Sequence, residues 1–160
     1  MRRAILESIA LLAAVGFLGL YPGTSIVAGL DAGRAGASIP VVGQAFGFAL
    51  FGAGYAFALW AMRANPYFST FVRIQRERGH SVVGSGPYAW LRHPGYAGAI
   101  VAHLALPAAL GSTWAFVPAC LGSLLFVART AREDRVLAER LPGYGEYQAR
   151  VPWRLVPRVW

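Results

Sequence analysis

The sequence predicts an all-α, polytopic membrane protein: about four transmembrane helices, the last two paired as a C-terminal helical hairpin, with a cytosolic cap. Three observations carry that expectation. The 160-residue chain is 56% hydrophobic and 14% charged, with a mean hydropathy of +0.46, against about 25% charged residues in an ordinary soluble domain. Ile39 to Met62 contains no charged residue. The 15 basic residues are all arginine, and they gather at the ends of the apolar runs instead of covering a soluble face. That placement argues against a nucleic-acid partner despite the net charge of +8. The chain reads as a single membrane domain over 1–160, with two N-terminal spans (1–62), a connection (63–92), and a hairpin with its cap (93–160).

Met1-Arg2-Arg3 precedes an apolar run from Ala4 to about Leu20, with a weaker tail to Leu30. A cleaved signal peptide would begin in the same way, and Val27-Ala28-Gly29 resembles a poor cleavage site. The apolar stretch outlasts a normal signal core of about 7–15 residues, which favours an uncleaved first span. Asp31 to Ser38 reads as a Gly- and Ala-rich loop. Val41 to Met62 follows, long enough as a helix (about 33 Å) to cross a hydrocarbon core of about 30 Å. Gly43 and Gly47 form a small-xxx-small pair on it, with Gly52 and Gly54 further on.

Arg63 to Arg92 reads as an interfacial connection, with Phe68, Phe71, Val72 and Gln75 spaced for a short amphipathic helix on the membrane surface. Arg73, Arg76 and Arg78 would orient it by charge, and His80 reads as a solvated loop residue. Pro94 to Leu110 and Thr113 to Arg129 are equal apolar arms around Gly111-Ser112. As an antiparallel pair they bring Arg129 level with Pro94, and Glu133 about one turn further out. His103 falls mid-arm, where it would either serve function or bond a neighbouring helix. Cys120 lacks a disulfide partner and is expected only to pack. From Thr130 the last arm continues as a charged helix to Leu141-Pro142-Gly143, and an aromatic, Arg-rich tail caps the hairpin. Four spans would set 14 of the 15 arginines on one side, all but Arg34. By the positive-inside rule that side, with both termini, is cytoplasmic.

The chemistry converges on Gly86 to Gly98. His93 precedes Pro94, and proline suits the first position of a helix, so a helix N-terminus with unpaired N–H groups starts here. Arg92 and His93 beside it make a place for an anion such as a carboxylate or phosphate. Tyr96 lies in the first turn, and the hairpin register adds Arg129 and Glu133.

The ordered motifs Gly-Pro-Tyr-x-x-x-Arg-His-Pro-x-Tyr-x-Gly (Gly86 to Gly98), Glu133-Asp134 with Leu137, Pro-Gly-x-x-x-Tyr (Pro142 to Tyr147) and Arg-Leu-Val-Pro (Arg154 to Pro157) resemble the isoprenylcysteine carboxyl methyltransferase and phospholipid methyltransferase group of integral membrane enzymes. The likeness covers about the C-terminal half. It implies methyl transfer from S-adenosylmethionine to a lipophilic or small acceptor (a carboxylate, amine or thiol), with the cofactor at the cytosolic end of the last helices. On that reading the helix N-terminus, Arg92 and His93 suit the cofactor carboxylate and Glu133 its ammonium, with Arg129 beside them. Tyr88, Trp90 or Tyr96 would offer an aromatic face to the sulfonium. Arg150 or Arg154 would hold an acidic acceptor or anchor the interface. An in-line methyl transfer needs alignment and exclusion of water, and neither a metal nor a covalent nucleophile. The family usually has Glu-Glu where this chain has Glu133-Asp134, so Asp134 is expected to be the weaker site residue. Membrane NADPH-dependent sterol or fatty-chain reductases are similar here but usually read Arg-His-Pro-Asn-Tyr-x-Gly-Glu, where this chain has Gly95 and Ala99. A non-catalytic membrane packing subunit would explain the spans but not the gathering of Arg92, His93 and Glu133.

Overall fold

The computed structural model describes Leu11, Val15, residues 21–69 and residues 74–160. Most of the apolar run from Ala4 to Leu20, with Phe71, Val72 and Arg73 of the connection, lies outside these residues. The described residues form five α-helices and no strand: α1 (Tyr21–Ala35), α2 (Val41–Ala64), α3 (Pro94–Ala109), α4 (Phe116–Arg140) and α5 (Tyr144–Arg150). Two 3-10 turns, Arg76–Arg78 and Gly86–Ala89, punctuate the connection.

Proline sets both ends of α2. Pro40 precedes it in extended backbone, and Asn65, held extended at φ −116° ahead of Pro66, stops it. Its buried residues are Gly47, Gly54, Ala58 and Ala61, a stripe of small side chains. That stripe meets Gly98 and Ala102 of α3 backbone to backbone. A Cβ added at Gly98 would lie 2.6 Å from the Gly54 carbonyl oxygen and 2.7 Å from the Ala58 amide nitrogen. The close approach therefore uses Gly47 and Gly54, not the Gly43 and Gly47 pair: Gly43 faces Ile39 of its own segment, and Gly52 faces open space.

The opposite face of α2 is apolar and bare, with Val41 77%, Val42 82% and Phe46 69% exposed. Such a face calls for lipid or another apolar partner. Among the described residues α2 is the one helix long and apolar enough to cross a membrane. α3 has only 16 residues, and α4 becomes charged from Arg129 onward, so length and composition do not by themselves give the four spans expected.

The stretch from Asp31 to Ala35, expected as loop, is the last part of α1. Its reason is a tertiary bond: Ser112 Oγ in the hairpin turn donates to the Asp31 carboxylate at 2.6 Å, while accepting the Ala115 N–H at 3.2 Å. Ser38 closes the same end by donating to the Gly111 carbonyl at 3.2 Å and accepting the Thr113 N–H at 2.9 Å. Gly111, at φ +73°, makes the turn between α3 and α4. Halfway along, His103 is fully buried, 3.1 Å from Thr24 Oγ1 and stacked on Tyr21, so it links α3 to α1. Cys120, expected to pack, is exposed on α4.

The connection is not a surface helix where it is described. Gln75 is 1% exposed; its amide donates to the Tyr67 carbonyl at 2.7 Å and its oxygen accepts from Arg78 at 2.7 Å.

The seam makes a direct prediction. Gly98→Ala drives a methyl group into the backbone of α2 and should destabilise by about 1–3 kcal/mol. Gly52→Ala, in open space, should be neutral or stabilising by up to about 1 kcal/mol. Thermal denaturation of the detergent-solubilised protein, followed by circular dichroism, measures both; equal responses would contradict the seam.

Candidate functional site

The site lies where the hairpin ends meet the cap. Gly143, at φ +80°, turns the chain from α4 into α5. Leu141, Tyr144, Tyr147 and Val151 then form a small apolar core, against which Ile74, Val82 and Leu137 pack. Tyr147 ties this cap to the motif loop by donating to the Tyr88 carbonyl at 2.7 Å.

Asp134 is the centre of the polar framework and is 1% exposed. Arg92 grips it bidentately, Nε to Oδ1 at 2.9 Å and Nη2 to Oδ2 at 3.0 Å. His93 Nε2 lies 3.1 Å from Oδ1, and the Tyr144 hydroxyl donates to the same oxygen at 2.8 Å. Arg154 Nε and Gln148 Nε2 donate to Oδ2 at 2.8 and 3.2 Å. Arg92 Nη1 also donates to the Val151 and Pro152 carbonyls, both at 2.8 Å. The backbone adds Arg92 N–H to the Trp153 carbonyl and His93 N–H to the Arg154 carbonyl, at 2.9 and 3.0 Å. Burial alone would raise the Asp134 pKa, but the bonds from His93, Arg92 and Arg154 outweigh it and hold the carboxyl well below the usual range. Asp134, expected to be the weaker site residue, does not border the cleft and anchors the framework instead: the anion beside Arg92 and His93 is the chain's own carboxylate.

Glu133, one residue back and about 100° round the helix, lines a cleft instead. The Tyr96 hydroxyl donates to its Oε2 at 2.7 Å. Arg129 Nε donates to that same hydroxyl at 2.6 Å and lies 3.8 Å from the Glu133 carboxylate. The expected register of the hairpin is present in these contacts. The cleft has aromatic walls that include Phe68, Tyr88 and Tyr144, and encloses a cavity of about 80 Å³. Burial first, then the nearby Asp134 charge, raises the Tyr144 pKa, so its hydroxyl stays a donor.

In the first turn of α3, Pro94 has no N–H and the amides of Tyr96 and Ala97 both bond the His93 carbonyl. That leaves Gly95, which lines the cleft, with an amide that no backbone carbonyl takes among the described residues. Of the residues singled out by sequence, Tyr88, Arg92, His93, Tyr96 and Glu133 all border the cleft, and Arg129 reaches it through Tyr96. Arg154 does not border it; besides its bond to Asp134, its guanidinium lies 4.8 Å over the Trp160 ring. Arg150 and Trp90 lie together in a separate cleft.

His80, expected as a solvated loop residue, is instead packed and hydrogen-bonded. Its ring stacks on Tyr67 at 4.4 Å, accepts the Gln75 N–H on Nδ1 at 3.2 Å, and lines the same cleft as Glu133. Burial, and then the Arg78 charge, lowers its pKa against a smaller opposing effect of Glu77, so at neutral pH Nε2 carries the proton. Gly79, at φ +63°, makes the turn beside it.

The Asp134 framework predicts both a mutational and a pH effect. Asp134→Ala leaves Arg92 buried without its partner and should cost about 3–5 kcal/mol, read from the melting temperature in detergent. Because the folded pKa is depressed, the carboxylate's contribution is complete above about pH 4. It is lost as pH falls from there towards the lower folded value. The melting temperature of the native protein should therefore drop below about pH 4, and an Asp134→Asn variant should show a shallower drop; parallel profiles would contradict this assignment.

A cleft holding a carboxylate among aromatic faces, with a cationic framework behind it, suits a small molecule carrying a positive charge and a carboxylate. Comparison with known proteins narrows the field. Two curated relatives match part of the chain. The Delta(14)-sterol reductase of Methylotuvimicrobium alcaliphilum is 32% identical over 93 residues, 54% of this chain and 21% of that protein. The Lamin-B receptor of Drosophila melanogaster is 32% identical over 117 residues, 69% of this chain and 15% of that protein. The chain thus spans about a fifth or less of either relative. The family model for isoprenylcysteine carboxyl methyltransferases matches residues 46–139, more than half of the chain, from the α2 seam to the acidic pair. The chain belongs to the isoprenylcysteine carboxyl methyltransferase (ICMT) family.

Proposed function

We propose that the Glu133 cleft binds S-adenosylmethionine and that the protein transfers its methyl group to a lipophilic or small acceptor bearing a carboxylate, amine or thiol. The observation that carries this reading is the position of Glu133: a carboxylate at the wall of an aromatic cleft, held by Tyr96 and Arg129. When bound, the cofactor supplies a methyl group on a sulfonium, open to in-line displacement and discharged by the transfer. Glu133 suits the ammonium as a charge-assisted acceptor. Tyr88 and Tyr96 offer ring faces to a sulfonium. The Gly95 amide and His80 Nε2–H are donors for a carboxylate. Two guanidinium charges, Arg92 and Arg154, face the single negative charge of Asp134, so the framework keeps a positive surplus that also favours an anion at the cleft.

The membrane context belongs to the same proposal. Four spans with both termini and the cleft on the cytoplasmic side would let a soluble donor meet an acceptor that arrives through lipid. The charge asymmetry of the arginines supports that orientation. Membrane lipid is then the surrounding partner.

The partial matches to a sterol reductase and the Lamin-B receptor keep an NADPH-dependent reductase as the second reading. The cleft disfavours it at one point. The asparagine of the reductase pattern would stand at Gly95, where an added Cβ comes 3.1 Å from Phe68 Cε2, so the aromatic wall would have to give.

Calorimetric titration of the detergent-solubilised protein with S-adenosylhomocysteine, and separately with NADPH, decides between them. We expect binding of the first alone, weakened about 10–100-fold by Glu133→Gln through loss of a charged hydrogen bond. Binding of NADPH alone would put the reductase first.

A further inference from the structure

The second cleft has no part in the proposed methyl transfer. Ala89, Trp90, Arg150, Val151, Trp153 and Pro157 border it, and it is an open cavity of about 380 Å³. Its level relative to the bilayer follows from one contact. Trp90 is 59% exposed and packs edge to face on Trp60, ring centroids 5.7 Å apart. Trp60 lies four residues before the end of α2, about 6 Å along the helix axis. Because α2 is the span candidate, this is the depth at which indoles sit among lipid headgroups.

The chemistry of the cleft is equally specific. Among the described residues Arg150 makes no ion pair, even with Glu146 one turn back. Nor do the indole N–H groups of Trp90 and Trp153 have hydrogen-bond partners among them. The Val151 and Pro152 carbonyls on the same rim already accept from Arg92. A ligand therefore meets donors and apolar ring surface, with those oxygens already taken.

We propose that this cleft seats the phosphodiester of an anionic phospholipid, with Arg150 pairing the phosphate and Trp90 and Trp153 flanking the glycerol. The proposal rests on α2 crossing the membrane and is independent of the methyl-transfer reading, so either can fail alone.

Native mass spectrometry of the full-length protein released from detergent, with phosphatidylglycerol or phosphatidylcholine added, tests it. We expect one retained phosphatidylglycerol, in preference to phosphatidylcholine. Arg150→Gln and Trp90→Ala should each weaken that retention, about fivefold for the lost cation, while Arg135→Gln, an exposed cation outside the cleft, should leave it unchanged. Circular dichroism of each variant verifies its fold, and Trp90→Phe should recover part of the binding. Equal losses from Arg150→Gln and Arg135→Gln, or no loss from Trp90→Ala, would reduce the effect to general surface charge and overturn the proposal. Displacement of the lipid by millimolar inorganic phosphate would overturn it as well, by making free phosphate the ligand.

Discussion

A buried carboxylate has to be satisfied, and in this protein Asp134 is satisfied by three separate parts of the chain. Arg92 and His93 come from the loop entering α3, Tyr144 and Gln148 from α5, and Arg154 from the tail, while Asp134 itself is on α4. A single unpaired charge at this depth would be strongly unfavourable, so the carboxylate and its donors hold one another in place. The two backbone bonds from Arg92 and His93 to the tail make the arrangement more rigid. Arg92, His93 and Tyr144, which line the cleft, are held directly by this cluster.

The neighbouring acidic residues consequently divide the labour. Asp134 is directed into the framework and spends its acceptor capacity there, whereas Glu133 is directed to the cleft with a side chain 19% exposed. Below them the hairpin and α2 meet at a seam of glycine and alanine, which lets backbones approach without side chains to adapt. That seam gives α3 a firm support, so the Tyr96 hydroxyl meets Glu133 at a fixed height.

Much of this was legible in the sequence where a regular period governs it. Equal arms around Gly111-Ser112 suffice to bring Tyr96, Arg129 and Glu133 to one level, since helix rise is constant. Pro94 marks the start of α3, and Asn65-Pro66 the end of α2, because proline restricts the backbone directly. That Asp134 would be the buried partner of Arg92 and His93 was not legible, because a rotation of one position along α4 depends on tertiary packing. His80 was missed for a related reason: its stacking on Tyr67 depends on how an irregular loop closes. The tail's backbone pairing with Arg92 and His93 has no periodic signature either, and it is what commits Arg154 to the framework. The small-residue seam was half legible, since the glycines were visible but their facing was not.

The central claim is that Glu133 faces the ligand while Asp134 holds the framework. The most direct measurement is an experimental structure of the protein bound to S-adenosylhomocysteine. The account predicts the ligand ammonium within hydrogen-bond distance of Glu133, with every contact of Arg92, His93 and Arg154 to Asp134 retained. A ligand bound to Arg92 and His93 in place of Asp134, or seated outside the cleft, would contradict it.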